Sequence, residues 1–293
     1  MISYNPKDWL SFLFRFHKSD TLRQLGPLIV FVCVYTAIIA FLEIEYWKLS
    51  QNDHLKNITM MHSVLSFVIS MLLVFRTNTA YERWWEGRKL WGALVNNSRS
   101  ISIKLAGMLP ADATQHRSFF RSVIPQFAVA LKNHLRREST RLELDRDEHP
   151  EFDDIAYEKH LPNQIQLIIF KKINELFTSK TITGEQYWMM NNEVQAFADI
   201  CGACERIKNT PIPYSYSSFL KKFIFFFVMT LPWGYVFSLG YYTIPVTAFI
   251  FYVLASLELI AEEIEDPFGY DENDLPLEKI CETIGKNVEE IIV

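Results

Sequence analysis

The nineteen residues from Asn57 to Phe75, NITMMHSVLSFVISMLLVF, hold no charged side chain, while the thirteen that follow, Arg76 to Arg88, hold five. A helix rises 1.5 Å per residue, so nineteen residues span ~28 Å, close to the hydrocarbon thickness of a bilayer. The helical period continues past the first charge: from Ala80 the apolar residues Trp84, Leu90, Trp91, Leu94 and Val95 keep to one side until Gly107 and Pro110. The spacing predicts one long helix that crosses the membrane in its first part and stands in water in its second.

Two further uncharged runs flank this stretch: Gln24 to Leu42, of 19 residues, and Phe223 to Leu257, of 35, long enough for two shorter spans. Four crossings are expected. The average composition, 49% hydrophobic and 22% charged, hides this division, because the charge concentrates between Arg76 and Lys222. A wholly soluble enzyme is thereby disfavoured. Nucleic-acid binding is disfavoured too, since 29 basic residues against 34 acidic leave −5 and no basic stripe.

Orientation follows from the basic residues. Lys7, Arg15, Lys18 and Arg23 precede the first run, Arg76 and Arg83 follow the second, and Lys221 and Lys222 precede the third, whereas the loop from Glu43 to Lys56 is net acidic. The positive-inside bias puts both termini and the middle region in the cytosol. Met1 to Arg23 is polar and amphipathic, with no cleavable signal expected. The chain therefore parses as one unit: a cytosolic N-terminal helix (1–23), two spans (24–75), cytosolic helices (76–222), two more spans (223–262), and an acidic segment with a C-terminal helix (263–293).

The middle region reads as helices, with Arg117 to Arg137, Gln164 to Thr178 and Gly184 to Lys208 as amphipathic segments and Pro211 and Pro213 as the turn into the third span. Glu143 to Asp154 carries seven acids against Arg146 alone and reads as a solvated loop. Four cysteines, Cys33 in a span and Cys201, Cys204 and Cys281 on the cytosolic side, make no disulfide framework. Cys201 and Cys204, inside a helical pattern with no second Cys or His pair, are expected to be packing residues. No phosphate loop, dinucleotide fingerprint, Ser-His-Asp set or paired catalytic carboxylate is present, so no enzymatic activity is expected.

Two stretches carry a resemblance that periodicity cannot supply. Phe75-Arg76-Thr77-Asn78-Thr79-Ala80-Tyr81-Glu82-Arg83-Trp84-Trp85-Glu86-Gly87-Arg88 resembles the signature of the bestrophin ion channels in their bacterial and plant-thylakoid branch. Glu262-Glu263-Ile264-Glu265-Asp266-Pro267-Phe268-Gly269-Tyr270-Asp271-Glu272-Asn273-Asp274 resembles the acidic Asn-Pro-Phe-Gly segment of animal bestrophins, and Ile212-Pro213-Tyr214-Ser215-Tyr216 is a third, shorter match. Within the first motif Arg76, Tyr81, Glu82 and Arg83 carry the match. The resemblance implies an all-α membrane protein assembled as a cyclic homopentamer, with an axial pore lined by the second span and by cytosolic helices below it. It also implies passive conduction of small monovalent ions, chloride by the family's usual label and cations such as sodium for some bacterial members.

The residues agree on where a pore would run. The second span carries Ser63, Ser66, Ser70 and His62, and Met60, Val64 and Val68 fall four apart on one face. Around a symmetry axis each would become an apolar ring that gates by dewetting, a reading that rests on the family's placement of its neck before the arginine matching Arg76. On residues alone the stripe reads rather as packing on a neighbouring helix, and Phe67 and Met71 lie on an overlapping face. His62 lies off the stripe and reads as an interhelical partner or a pH-sensing group. Aliphatic rings discriminate weakly between ions, so selectivity is expected at the charged mouths, where a repeated acidic loop favours cations.

The resemblance further implies a calcium clasp whose positions here are Glu263, Asp266, Asp271 and Asp274, hard oxygen ligands suited to Ca²⁺. Glu263 and Asp266 replace amides of the animal channels, and the competing reading is helix-terminal acids paired with Lys or Arg, with no cofactor required. A second, cytosolic constriction is implied near the start of the helix before Cys201. Ile182, beside the expected N-cap Thr183, is the candidate, and Glu185 is an equally near match. A membrane-anchored scaffold or a secondary transporter are the other classes; against the transporter, no inverted repeat and no acid within the first two runs is found.

Overall fold

The computed structural model describes residues 21–48, 58–139, 142, 144 and 148–293. Among them the chain is helical: α1 (Thr21–Phe41), α2 (Ile58–Met108), α3 (Thr114–Arg136), α4 (Leu161–Thr178), α5 (Gly184–Asn209), α6 (Tyr214–Leu239), α7 (Thr243–Glu265) and α8 (Leu277–Ile291). The expected single helix after Asn57 is found as α2, whose 51 residues run without a break across the apolar-to-charged boundary. At 1.5 Å per residue it is ~77 Å long. Its far end is closed by Arg117, whose guanidinium donates to the carbonyls of Ala106 at 3.1 Å, Leu109 at 2.8 Å and Pro110 at 3.2 Å.

Among the described residues, three continuous stretches are long and apolar enough to cross a membrane: Thr21–Tyr46, Thr59–Met108 and Tyr214–Glu265. The last is broken by Gly240, whose positive φ of 56° suits a residue without Cβ, into α6 and α7 of 26 and 23 residues. Each alone exceeds the ~20 residues of a crossing. The first ends differently from expectation: the segment from Glu43, read as loop, continues the helix as a π-helical turn, Leu42–Tyr46, and buries Glu43. Among the described residues its two carboxylate oxygens have no hydrogen-bond partner. The N-terminal helix expected over 1–23 lies outside the described residues up to position 20.

The described chain divides into two compact units. The first takes the residues up to Trp84, Pro211–Asp266 and Asp271–Asn273. In it α1 packs on α7 and α6, and α6 on α7, around a core of Val32, Ile69, Leu73, Ile224, Phe227 and Phe251. Ile69 and Leu73 belong to a buried seam of α2 with His62, Arg76 and Ala80, a spacing of about one helical turn or two.

The second unit takes Trp85–Thr210, Pro267–Tyr270 and Asp274–Val293. Here α3 packs on α4, α5 and α8, and α4 on α5, with Trp91, Phe119, Phe127, Ile169 and Phe197 fully buried. Phe127 and Phe197 join α3 to α5 with ring centroids 4.5 Å apart. The acidic stretch read as a solvated loop is in part folded: Pro150–Asp154 forms a 3₁₀ turn because Phe152 stacks on Phe119 at 5.2 Å. Glu151 then reaches the buried Lys172 at 2.7 Å, and Asp154 pairs with Lys171 at 3.2 Å. Phe268 is also fully buried in this unit, over Gly87, where a Cβ would stand 3.0 Å from the Pro267 ring and 3.2 Å from Phe268.

Candidate ion pathway

Among the described residues, the stripe of α2 opposite its buried seam is left uncovered. Met60 is 79% exposed, Val64 63% and Val68 40%, and the overlapping Phe67 and Met71 are exposed as well. Four-residue steps place successive members of the stripe ~6 Å apart along the axis. The serines do not turn toward another helix. Ser63 donates to the Thr59 carbonyl at 3.2 Å, Ser66 to His62 at 2.6 Å and Ser70 to Ser66 at 2.7 Å, which satisfies each hydroxyl within α2. His62 points the other way, its Nε2 lying 2.9 Å from the Thr230 hydroxyl of α6, so it is an interhelical partner.

The signature stretch after the span is a joint between α2 and α7. Arg76, 1% exposed, lies 3.3 Å from Glu258 and 2.7 Å from Glu265. Glu265 also accepts from the backbone N–H of Ile212 at 2.6 Å, drawing the Ile212-Pro213-Tyr214 turn into the same joint. Arg83 donates to the Glu265 carbonyl at 3.1 Å, and the Trp84 indole to the Asn273 carbonyl at 3.0 Å. Tyr216 completes the joint by donating to the Leu72 carbonyl at 3.0 Å. Tyr81 and Glu82 are exposed, with the Tyr81 ring stacked beside Trp84. A long helix so tied at mid-length has its uncovered stripe held in a fixed rotation.

Of the four positions matched to the clasp, Glu263 accepts from Asn273 at 2.8 Å and from Gln24 at 3.2 Å, Asp266 is half-buried, Asp271 is exposed, and Asp274 is buried in the second unit. Glu263, Asp266 and Asp271 do not bring three carboxylate oxygens within 4.8 Å of one another. The neighbouring Glu262 pairs with Lys221 at 2.8 Å.

At the start of α5, Thr183 is the N-cap, in a reciprocal box with Gln186. Ile182 beside it is 5% exposed, covered by its own unit, while Glu185 is fully exposed. Hydrogen bonds from its own backbone N–H and from Thr183 hold the Glu185 carboxyl below the usual carboxylate range. Cys201 and Cys204 are buried free thiols, and burial pushes Cys201 up to about 12, which leaves it unreactive. Sequence reading missed the partners of Arg76 and the meeting of His134, His160 and Glu205 described below, because neither set shares a local motif.

Apolar helices long enough to cross a membrane, one stripe of an extended helix left uncovered among the described residues and a buried charged joint at its waist are the features to set beside known proteins. The model of the Bacterial/Fungal Bestrophin protein family matches residues 1–290, and the chain belongs to that family. It is 37% identical over 230 residues to a voltage-dependent anion channel-forming protein of Nostoc sp., covering 77% of this chain and 75% of the relative. The YneE protein of Escherichia coli K12, which bears the same description, is 31% identical over 285 residues, covering 97% and 91%. Among solved structures, a bacterial bestrophin homologue from Klebsiella pneumoniae superposes with a TM-score of 0.80 at 29% identity, covering 91% of this chain and 98% of that one.

Proposed function

We propose that the protein is a passive channel for small monovalent ions, assembled as a homopentamer in the bacterial inner membrane with both termini cytosolic and the stripe of Met60, Val64 and Val68 lining its neck. The observation that carries the reading is the exposure of that stripe on a helix whose opposite seam is buried. Lipid accepts the apolar side chains, and it tolerates serines satisfied within the helix, but a water-filled axis also solvates the exposed Ser63 and Ser70, which favours the pore. Five copies close a ring and turn each stripe position into one apolar constriction.

Selectivity lies at the mouths of such a pore. The relatives' names point to anions, while the exposed Glu185, repeated five times, favours cations. Conduction needs no bound cofactor in this reading, and calcium at Glu263, Asp266, Asp271 and Asp274 is a regulator at most. Native mass spectrometry followed by flux into liposomes tests it. A pentamer that passes monovalent ions, with or without calcium, is expected; a stable monomer or dimer removes the proposal.

A further inference from the structure

Three side chains from three helices of the second unit converge in a cluster that includes none of the residues assigned to the ion path. His134 stands in the last turn of α3, His160 is the N-cap of α4, and Glu205 follows Cys204 on α5. Both imidazole Nε2 atoms address one carboxylate oxygen, Glu205 Oε1, at 2.7 Å from His134 and 2.6 Å from His160. The two rings lie 4.3 Å apart, and one ligand atom from each of the three residues falls within 4.8 Å of the others. Each side chain is about a third exposed, so the cluster opens on solvent.

We propose that His134, His160 and Glu205 form a binding site for a divalent transition metal of the zinc class, one ion in each chain. Two imidazole nitrogens and one carboxylate oxygen are the donor set that zinc prefers, and hard ions such as Ca²⁺ and Mg²⁺ do not. Three protein ligands with an open side leave the fourth tetrahedral position to water. Zinc–ligand bonds of about 2.0–2.2 Å put ligand atoms roughly 3.3 Å apart. The present contacts must therefore open by about 0.6 Å, which the partly exposed Glu205 side chain supplies by rotation. The metal replaces the two protons through which the imidazoles now donate to Glu205 and links the end of α3, the start of α4 and the C-terminal part of α5. One existing bond opposes it: His160 Nδ1 accepts from the Asn163 N–H at 3.3 Å, and a metal on Nε2 requires the proton on Nδ1. That bond is long, and its loss moderates the affinity without closing the site.

The test uses the full-length protein, free of any histidine tag and stripped with chelator, in detergent. Zn²⁺ titration by calorimetry is expected to show one ion per chain, Co²⁺ to give the visible absorption of a tetrahedral site, and Zn²⁺ to raise the thermal midpoint. Glu205→Gln, His134→Gln and His160→Asn, the last retaining a capping acceptor, should each weaken binding at least tenfold. Equal binding in all three variants would locate the metal elsewhere and overturn the proposal. Should a variant fail to fold, the native protein decides alone: no Co²⁺ absorption and no Zn²⁺ uptake at tens of micromolar refute the site.

Discussion

The guanidinium of Arg76 lies 2.7 Å from the carboxylate of Glu265, a residue 189 positions further along the chain, and both belong to stretches by which the sequence resembles its family. With Glu258 on its other side, Arg76 bridges two carboxylates at the waist of α2. The joint fixes which stripe of α2 is left uncovered, and on that stripe the reading of the protein as a channel depends.

Removing Arg76 leaves Glu258 buried with its charge uncompensated. Arg76→Ala is expected to cost about 3–5 kcal/mol, the penalty of breaking a buried pair from one side. Arg76→Lys should recover part of it, since a point ammonium cannot fork between two carboxylates. Thermal unfolding followed by size-exclusion chromatography in detergent measures both.

Smaller side chains widen an apolar constriction and ease its wetting. Met60, Val64 and Val68 replaced together by Ala should raise conductance and open probability at unchanged expression. Unchanged currents in that variant, with Phe67→Ala alone opening the pore, would move the neck to the overlapping face.

At the start of α5 the two candidates for a second constriction predict different signals. If Glu185 faces the ion path, Glu185→Gln should lower cation preference under bi-ionic conditions while Ile182→Ala leaves reversal potentials unchanged; the exposure of Glu185 and the burial of Ile182 favour this outcome. If Ile182 forms the rim, Ile182→Ala should instead alter the relative permeability of large and small ions. A null result for both removes a second constriction from the pathway.

Two carboxylates of the second unit make its stability acid-sensitive. Burial works to raise Glu151, but hydrogen bonding and charge from Lys172 hold it below the ordinary value of 4.5. The hydrogen bond from Arg136 is the largest influence on Glu278 and holds it below the same value. With folded values below unfolded ones, the unfolded chain takes up protons first as pH falls. The stabilisation is therefore complete above about pH 5 and is lost as pH drops through the folded values. The thermal midpoint should fall below pH 4.5, and Glu278→Gln should reduce that fall.

Much of this molecule is legible without coordinates. Uncharged runs located the apolar helices, continuous periodicity from Asn57 to Gly107 gave α2 as one piece, and Thr183 marked the start of α5. All of these are local signals. Glu43 was misread as loop because a charge ordinarily ends an apolar helix, and a π turn carries it inward instead. Ile182 could be placed next to a cap, yet the side to which it points depends on the packing of its own unit. Arg76 with Glu258, and His134 with His160 and Glu205, are separated by 182 and up to 71 positions, distances over which no period connects them.

The central claim, that the uncovered stripe of α2 lines a conducting pore, is tested most directly by recording the purified protein and its Met60, Val64, Val68 triple-Ala variant in planar bilayers under asymmetric salt. The account predicts unitary currents that reverse at the ion gradient, larger and more often open in the variant. Silence from both folded proteins, or saturable flux without unitary steps, would contradict it.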